Sequence, residues 1–442
     1  MSSHRRQLIL ALSATSLLAA STSAQLLPSL PVGGVTAPIG GVPIIGPVID
    51  RLIPQAQRQQ VIAPTLDSLG IPSNVAELGA SSLMDLRRLR LRELVDSYPS
   101  ELEMDGQNQP ARRGVLVAVD PAPASLAAAQ RAGFRIIEEV VGGQLGFRLV
   151  TLAIPQRLST RQALKRLRLA APAIEADFDH VYEPAGGALM TTSAVLATQS
   201  GFVATGRTIA IIDGGVAAHP SFAGAMIEQR AFAGAAKATG HGTAVASLLV
   251  GSQGRFRGAA AGARLYVADV YGGSRAAGSA SAIVRALDWA ASKRPDVISI
   301  SLVGPNNRLL QMAVERLQQR GIRMVAAVGN DGPAAPVQYP AAYPQVIAVT
   351  AVDARDRALP EAGRAARLDF AAPGADMAAA LPGNGYARVR GTSFAVPLVA
   401  ARLAAVGNPD TLSREALPGR GKIGRGIICR PCRVEPRIVG AK

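Results

Sequence analysis

"TIAIID", residues 208–213, is a run of apolar residues ending in an aspartate just before Gly214-Gly215. Four more runs share its character: "ARLYVADV" (263–270), "PDVISISLV" (295–303), "GIRMVAAVGN" (321–330) and "QVIAVTAV" (345–352). Each is too continuously apolar for a strand with one wet face. Helical patterns over 241–251, 279–292 and 307–320 lie between most of them. Strands buried on both faces and alternating with helices specify an α/β fold with a parallel sheet. A further helix is expected over 393–406, and no fixed-period repeat is present.

N-terminal to this pattern lies a second one. "GVLVAVD" (114–120) reads as a strand, 123–133 as a helix ending at Gly133, and "FRIIEEVVGGQLGFRLVTLAI" as a hairpin about Gly142-Gly143. "STRQALKRLRLA" (159–170) reads as a Ser-capped basic amphipathic helix, and 174–184 as a last strand. The order β-α-β-β-α-β is ferredoxin-like.

The 442 residues allow two to three domains, and 48% hydrophobic content against 18% charged is enough for substantial cores. The net charge of +16 raises nucleic acid or a membrane surface as partners. The arginines are dispersed, however: Arg87, Arg88, Arg90 and Arg92 in a helical segment, others over 161–168 and in the tail. No aromatics interleave with them and no nucleic-acid motif occurs, so solvated faces are expected. Residues 1–24 read as a secretory signal peptide, with Arg5-Arg6 before a short apolar core and Thr22-Ser23-Ala24 at the cleavage site. The uncharged stretch that follows carries prolines at 28, 31, 38, 43 and 47, which argues for a linker and against a stable membrane span. Cys429 and Cys432 are the only cysteines; a local disulfide is expected in an exported chain, since two thiols without a neighbouring histidine make no usual zinc site.

Ligands and catalysts in open parallel sheets collect at the carboxyl ends of strands. Asp213 ends one strand, and Asn330 follows another. His241 opens a helix in "ATGHGTAVASLLVGS", and Ser393 opens one in "GTSFAVPLVAA". Alone, each has an ordinary explanation as a turn or cap residue. Of the four histidines, His4 lies in the leader, His180 in the small domain and His219 in a turn before proline, leaving His241 with a helix to fix it. Together the four residues supply a nucleophile, a base, a carboxylate to hold the base, and an oxyanion donor, in one of the known triad orders. Pro397 is expected in the first turn of its helix, where little hydrogen bonding is lost.

From about 200 to 405 the chain resembles the subtilisin-like serine proteases (subtilases). The motifs are "IAIIDGGVAAHPSF", "GHGTAVASLLVG", "PDVISISLVGP", "AAVGNDGP", "FAAPG" and "GTSFAVPLVAA". The resemblance implies Ser393 as nucleophile, His241 as general base and acid, Asp213 as its orienting carboxylate and Asn330 as oxyanion donor. Ser301, Leu302, Val303 and Gly304 would line the substrate strand. The preceding domain is similar to the family's inhibitory propeptide, and the partners implied are protein or peptide substrates and the chain's own propeptide. No cofactor is implied; the family often binds Ca²⁺, but no ligand set is legible here.

Three departures matter. Gly214 stands where the family carries Ser or Thr, which leaves a catalytically weak, peptide-binding subtilase fold as the alternative reading. Ala244 and Leu398 replace histidines at structural positions. Val303 replaces a glycine, which should narrow the pocket before the scissile bond and favour small apolar residues. The expected organisation is signal peptide 1–24, linker and basic helix 25–110, propeptide 111–185, catalytic domain 190–408 and basic tail 409–442, the last either closed by Cys429–Cys432 or disordered. Self-cleavage is expected between about Glu183 and Gly201, giving a secreted or periplasmic endopeptidase.

Overall fold

In the first part of the chain, valines and leucines at alternate positions of one strand face two different cores. A computed structural model of the protein describes residues 80–186 and 204–441. Residues 1–79, with the expected signal peptide and Pro/Gly-rich linker, and residues 187–203 lie outside the described residues. The first part comprises α1 (Ala80–Ser97), β1 (Leu102–Met104), β2 (Pro110–Val119), α2 (Pro123–Arg131), β3 (Arg135–Gly142), β4 (Phe147–Ala153), α3 (Thr160–Ala170), β5 (Ala176–His180) and β6 (Glu183–Pro184). β2 pairs antiparallel with β4 and β5, and β4 with β3, which is the ferredoxin-like arrangement. Leu116 and Ala118 of β2 turn inward, onto Leu126 of α2 and Leu164 and Leu167 of α3. Val117 and Val119 turn the other way, joining the core that contains Ile283, Leu287, Leu310 and Val314. A two-residue period thus faces one sheet surface to its own helices and the other to the larger domain.

α3 carries the expected Ser159 cap, which with Gln162 forms a full capping box, and leaves Arg161, Lys165, Arg166 and Arg168 exposed. The expectation of a solvated arginine face fails on α1. Arg88 and Arg92 are exposed, but Arg87 is buried and Arg90 half-buried. Arg87 donates to Asp331 (3.0 Å) and Gln109 (2.8 Å), and Arg90 to Asp331 (2.9 Å) and Glu183 (3.1 Å). Composition could not reveal this, because the acidic partners are up to 244 residues away.

The larger domain is built on seven parallel strands, β7 (Thr208–Asp213), β8 (Met226–Ala231), β11 (Arg264–Asp269), β12 (Val297–Ile300), β14 (Arg323–Ala327), β15 (Val346–Val352) and β16 (Phe370–Pro373), in the order β16-β15-β14-β12-β7-β11-β8. Short pairs complete the strands: β9 (Ser252–Gln253) with β10 (Phe256–Arg257), β13 (Leu302–Val303) with β6, and β17 (Met377–Ala380) with β18 (Tyr386–Val389). α4 (Gly240–Val250) and α7 (Thr392–Val406) share a core with residues such as Ile209, Ile211 and Val325, on one face of the sheet. On the other face α5 (Ala280–Ser292) and α6 (Arg308–Gln319) pack with Ala210, Ile212 and Ile298. The small domain's carboxylates cap these two helices. Asp179 accepts from the Ser281 amide and hydroxyl (2.8 Å each), and Asp177 from the Arg308 amide (3.0 Å). Negative charge at two helix N-termini suits their dipoles.

The tail is folded. After α8 (Pro409–Ser413), Ile427 bridges Ala371 and Leu417, and Ile428, Cys432 and Val434 join the α4/α7 core. Cys429 and Cys432 are disulfide-bonded, as expected, and the disordered alternative does not hold. Pro397 also departs from expectation. It lies well inside α7, with Gly391 as the cap residue, and not in the first turn. No helix among the described residues is long and apolar enough to cross a membrane.

Candidate active site

Asp213, Ser301 and Asn330 all fall just at or beyond the carboxyl ends of parallel strands, and α4 and α7 begin over the same edge. His241 sits in the first turn of α4, whose N-cap Thr239 accepts from the Gly242 amide (2.9 Å). Gly242 is required by close approach: a Cβ there would collide with the Gly214 backbone. His241 Nδ1 lies 2.9 Å from Asp213 Oδ1, and Nε2 lies 2.9 Å from Ser393 Oγ. With Nδ1 protonated and donating to Asp213, Nε2 accepts from the Ser393 hydroxyl. Asp213 and Ser393 are buried, and the Phe394 ring flanks His241.

Asp213 Oδ1 also accepts from the Gly214 amide (2.6 Å), while Oδ2 has no hydrogen-bond partner among the described residues. The missing hydroxyl at 214 has a steric reason. A Cβ at that position would collide with the Thr239 side chain, which caps α4. Thr239 therefore occupies the space that a Ser or Thr at 214 would need.

Asn330 is fixed by its own amide oxygen, which accepts from the Thr392 N–H (3.0 Å) at the start of α7. That leaves its Nδ2 free to donate to the Ala185 carbonyl oxygen, to which the Ser393 N–H also donates (3.3 Å). The segment before Ala185 runs as a strand. The Ala185 N–H donates to Ser301 O (2.9 Å), Leu302 pairs with Pro184 and Val303 with Glu183, antiparallel. On its other side Tyr182 N–H donates to Gly278 O (2.8 Å), and Val181 bridges Ser279. Gly186 follows so closely that a Cβ on it would collide with Ser393 Oγ and His241 Nε2. Gly304 exchanges backbone hydrogen bonds with Tyr339 (3.0 Å each). Ala185 and Val303 belong to one buried apolar cluster.

All eight residues singled out from the sequence thus converge. Ser301 does more than line the strand: its hydroxyl donates to Ser393 O (3.0 Å). Sequence reasoning missed Thr239, Thr392, Gly278, Asp331 and Arg275, and within its cleavage window of about Glu183 to Gly201 it did not single out Ala185-Gly186, which lies against Ser393. The small-residue run after "YEP" was the one signal for the last.

Glu183 is buried, and burial alone would raise its pKa. Arg90 and Arg275 outweigh that and hold the carboxyl below the usual glutamate range. Among the described residues no group of three or more His, Cys, Asp or Glu is placed to hold a metal ion.

A seven-stranded parallel sheet carrying Asp, His and Ser in hydrogen-bonded series, with an Asn beside the Ser, defines a serine hydrolase of α/β architecture. The sequence model of the subtilase family matches residues 204–416. The chain is 34% identical over 211 residues to Subtilisin Savinase from Lederbergia lenta, covering 47% of this chain and 78% of that protein. It is 33% identical over 216 residues to Subtilisin E from Bacillus subtilis (strain 168), covering 47% of this chain and 56% of that protein. It thus spans about half the length of some curated relatives and over three quarters of another. Fervidolysin from Fervidobacterium pennivorans, a keratinolytic enzyme related to subtilisin, shares the fold with a TM-score of 0.61 at 17% identity, over 75% of this chain and 62% of that one. The chain belongs to the subtilase family of serine-type endopeptidases.

Proposed function

We propose that the protein is the precursor of an exported endopeptidase that cuts its own chain between Ala185 and Gly186. The observation that carries this is the Ala185 carbonyl, which accepts from both Asn330 Nδ2 and the Ser393 N–H while β6 pairs with β13. A carbonyl held by two donors beside a hydroxyl and its base is poised for attack. In this reading His241 takes the proton from Ser393 Oγ as the oxygen bonds to the Ala185 carbon. Asp213 holds the imidazole and stabilises its cationic form. Collapse of the tetrahedral intermediate breaks the Ala185–Gly186 bond, and His241 gives the proton to the leaving amine. Water, activated by the same imidazole, then frees a carboxylate at Ala185.

Residues 111–185, extended to 80–185 because β1 pairs with β2, would act as the inhibitory propeptide, placed by the Asp177 and Asp179 caps and by the valine face of β2. The Ala185 side chain, in a buried cluster with Val303, supports the preference for small apolar residues before the scissile bond. Residues 1–24 support export to a periplasm or the exterior. No cofactor is needed by this chemistry.

The purified wild-type chain should show a new N-terminus at Gly186 by mass spectrometry, and Ser393→Ala should stay uncut. Maturation of that variant in the absence of other proteases, or an N-terminus elsewhere, would overturn the reading. A serine-directed fluorophosphonate should label the wild type and not Ser393→Ala. No labelling would favour the non-catalytic alternative.

A further inference from the structure

Glu183 is the third residue before the Ala185–Gly186 bond, and its carboxylate is held by two arginines of different origin. Arg90 comes from α1, on the part of the chain that self-cleavage would release. Arg275 comes from the catalytic domain and donates to Glu183 Oε1 at 2.7 Å. Only Arg275 stays behind after maturation. Its position is set by backbone: Ser274 caps the 3-10 turn Arg275–Ala277, and Gly278 next to that turn accepts the N–H of Tyr182. The cation is therefore tied to the segment that grips the substrate strand. Its only ion pair among the described residues is with Glu183, whose side chain is 8% exposed against 32% for Arg275. A buried carboxylate facing a half-buried guanidinium in a substrate strand has the geometry of a subsite.

We propose that Arg275 is a specificity-determining residue of the mature peptidase, which makes it favour an acidic side chain three residues before the bond it cuts. The proposal rests on the reading of residues 181–186 as a bound substrate. Arg275 touches neither the nucleophile nor the carbonyl; it acts by pairing with the substrate carboxylate. The pair is partly exposed, so its effect is moderate and salt-sensitive.

The test uses the self-processed wild-type enzyme and three peptides, Val-Tyr-Xaa-Pro-Ala-Gly-Gly with Xaa as Glu, Gln or Lys. Cleavage at Ala-Gly should follow kcat/KM in the order Glu over Gln over Lys, with Glu ahead of Gln by roughly two- to fivefold. Raising the salt to about 0.5 M should compress that ratio. Arg275→Glu, made with Glu183→Gln so that its own precursor carries no facing pair of like charges, should invert the order of Glu and Lys. Equal kcat/KM for the three peptides at low salt overturns the role of Arg275 while leaving the substrate-strand reading intact. Failure to cut any peptide at Ala-Gly, by enzyme that a fluorophosphonate still labels, overturns the substrate-strand reading and the proposal with it. If the charge-reversed variant does not mature, the wild-type series alone decides.

Discussion

Pro397 and Ser301 show how one side chain repairs what another removes. The Ser393 carbonyl would ordinarily accept the N–H four residues on, but that residue is Pro397, which has none. Ser301 Oγ donates to the vacant carbonyl instead, from the turn after β12. The backbone of Ser393 is thus tied to the segment that pairs with Glu183 and Pro184. Ser301→Ala should destabilise the protein by about 1–3 kcal/mol, because it leaves a buried carbonyl without this donor, and should lower kcat. In a Pro397→Ala background, residue 397 regains an N–H for that carbonyl, so the same change should cost less. Urea denaturation of the four variants in the Ser393→Ala precursor measures the coupling. Additive effects would show that the hydroxyl does not substitute for the missing amide.

At the scale of elements, α1 is the least expected part. Its arginines look alike in sequence, yet the helical period places Arg87 and Arg90 towards Asp331 and Glu183, and Arg88 and Arg92 towards solvent. Arg87→Ala in the Ser393→Ala precursor should therefore cost about 1–3 kcal/mol, since Asp331 and Gln109 lose a buried partner. Arg92→Ala should change stability by less than about 0.5 kcal/mol. Equal effects in denaturant titrations would argue against the burial pattern of α1. The other elements were more legible. The apolar runs of β7, β11, β12, β14 and β15 announce strands covered on both faces. β8 was not legible, because as an edge strand it carries Glu228, Gln229 and Arg230 and is exposed along much of its length.

At the scale of the molecule, two carboxylates have their pKa lowered on folding: Glu183, which joins the two domains through Arg275, and Asp105, which lies inside the smaller domain. Glu183 is lowered by Arg90 and Arg275 against the effect of burial. Asp105 is lowered by His180 and by the Gln109 and Gln107 amides, again against burial. A carboxylate with a lower pKa in the folded state contributes stability that is complete above its ordinary value, here 4.5 for Glu183 and 3.8 for Asp105. That stability is lost as pH falls through the folded value. The Ser393→Ala precursor should thus lose stability as pH is lowered through this range. Glu183→Gln should be less stable at pH 7 but fall less steeply with acid. Parallel pH profiles for the two chains, by chemical denaturation, would remove Glu183 from this account.

The sequence by itself determined the parallel sheet, the ferredoxin-like domain and the identity of Asp213, His241, Asn330 and Ser393. Each of these is written locally, in apolar runs, turns and short motifs. Only the tertiary structure decided what faces what. It brought Ala185-Gly186 against Ser393, seated Thr239 where a hydroxyl at 214 would have been, and aimed two arginines from distant segments at Glu183. The reason is physical: a motif fixes a backbone and the edge at which a side chain emerges. The partner across the site is chosen by packing between segments tens to hundreds of residues apart, and no local pattern records it.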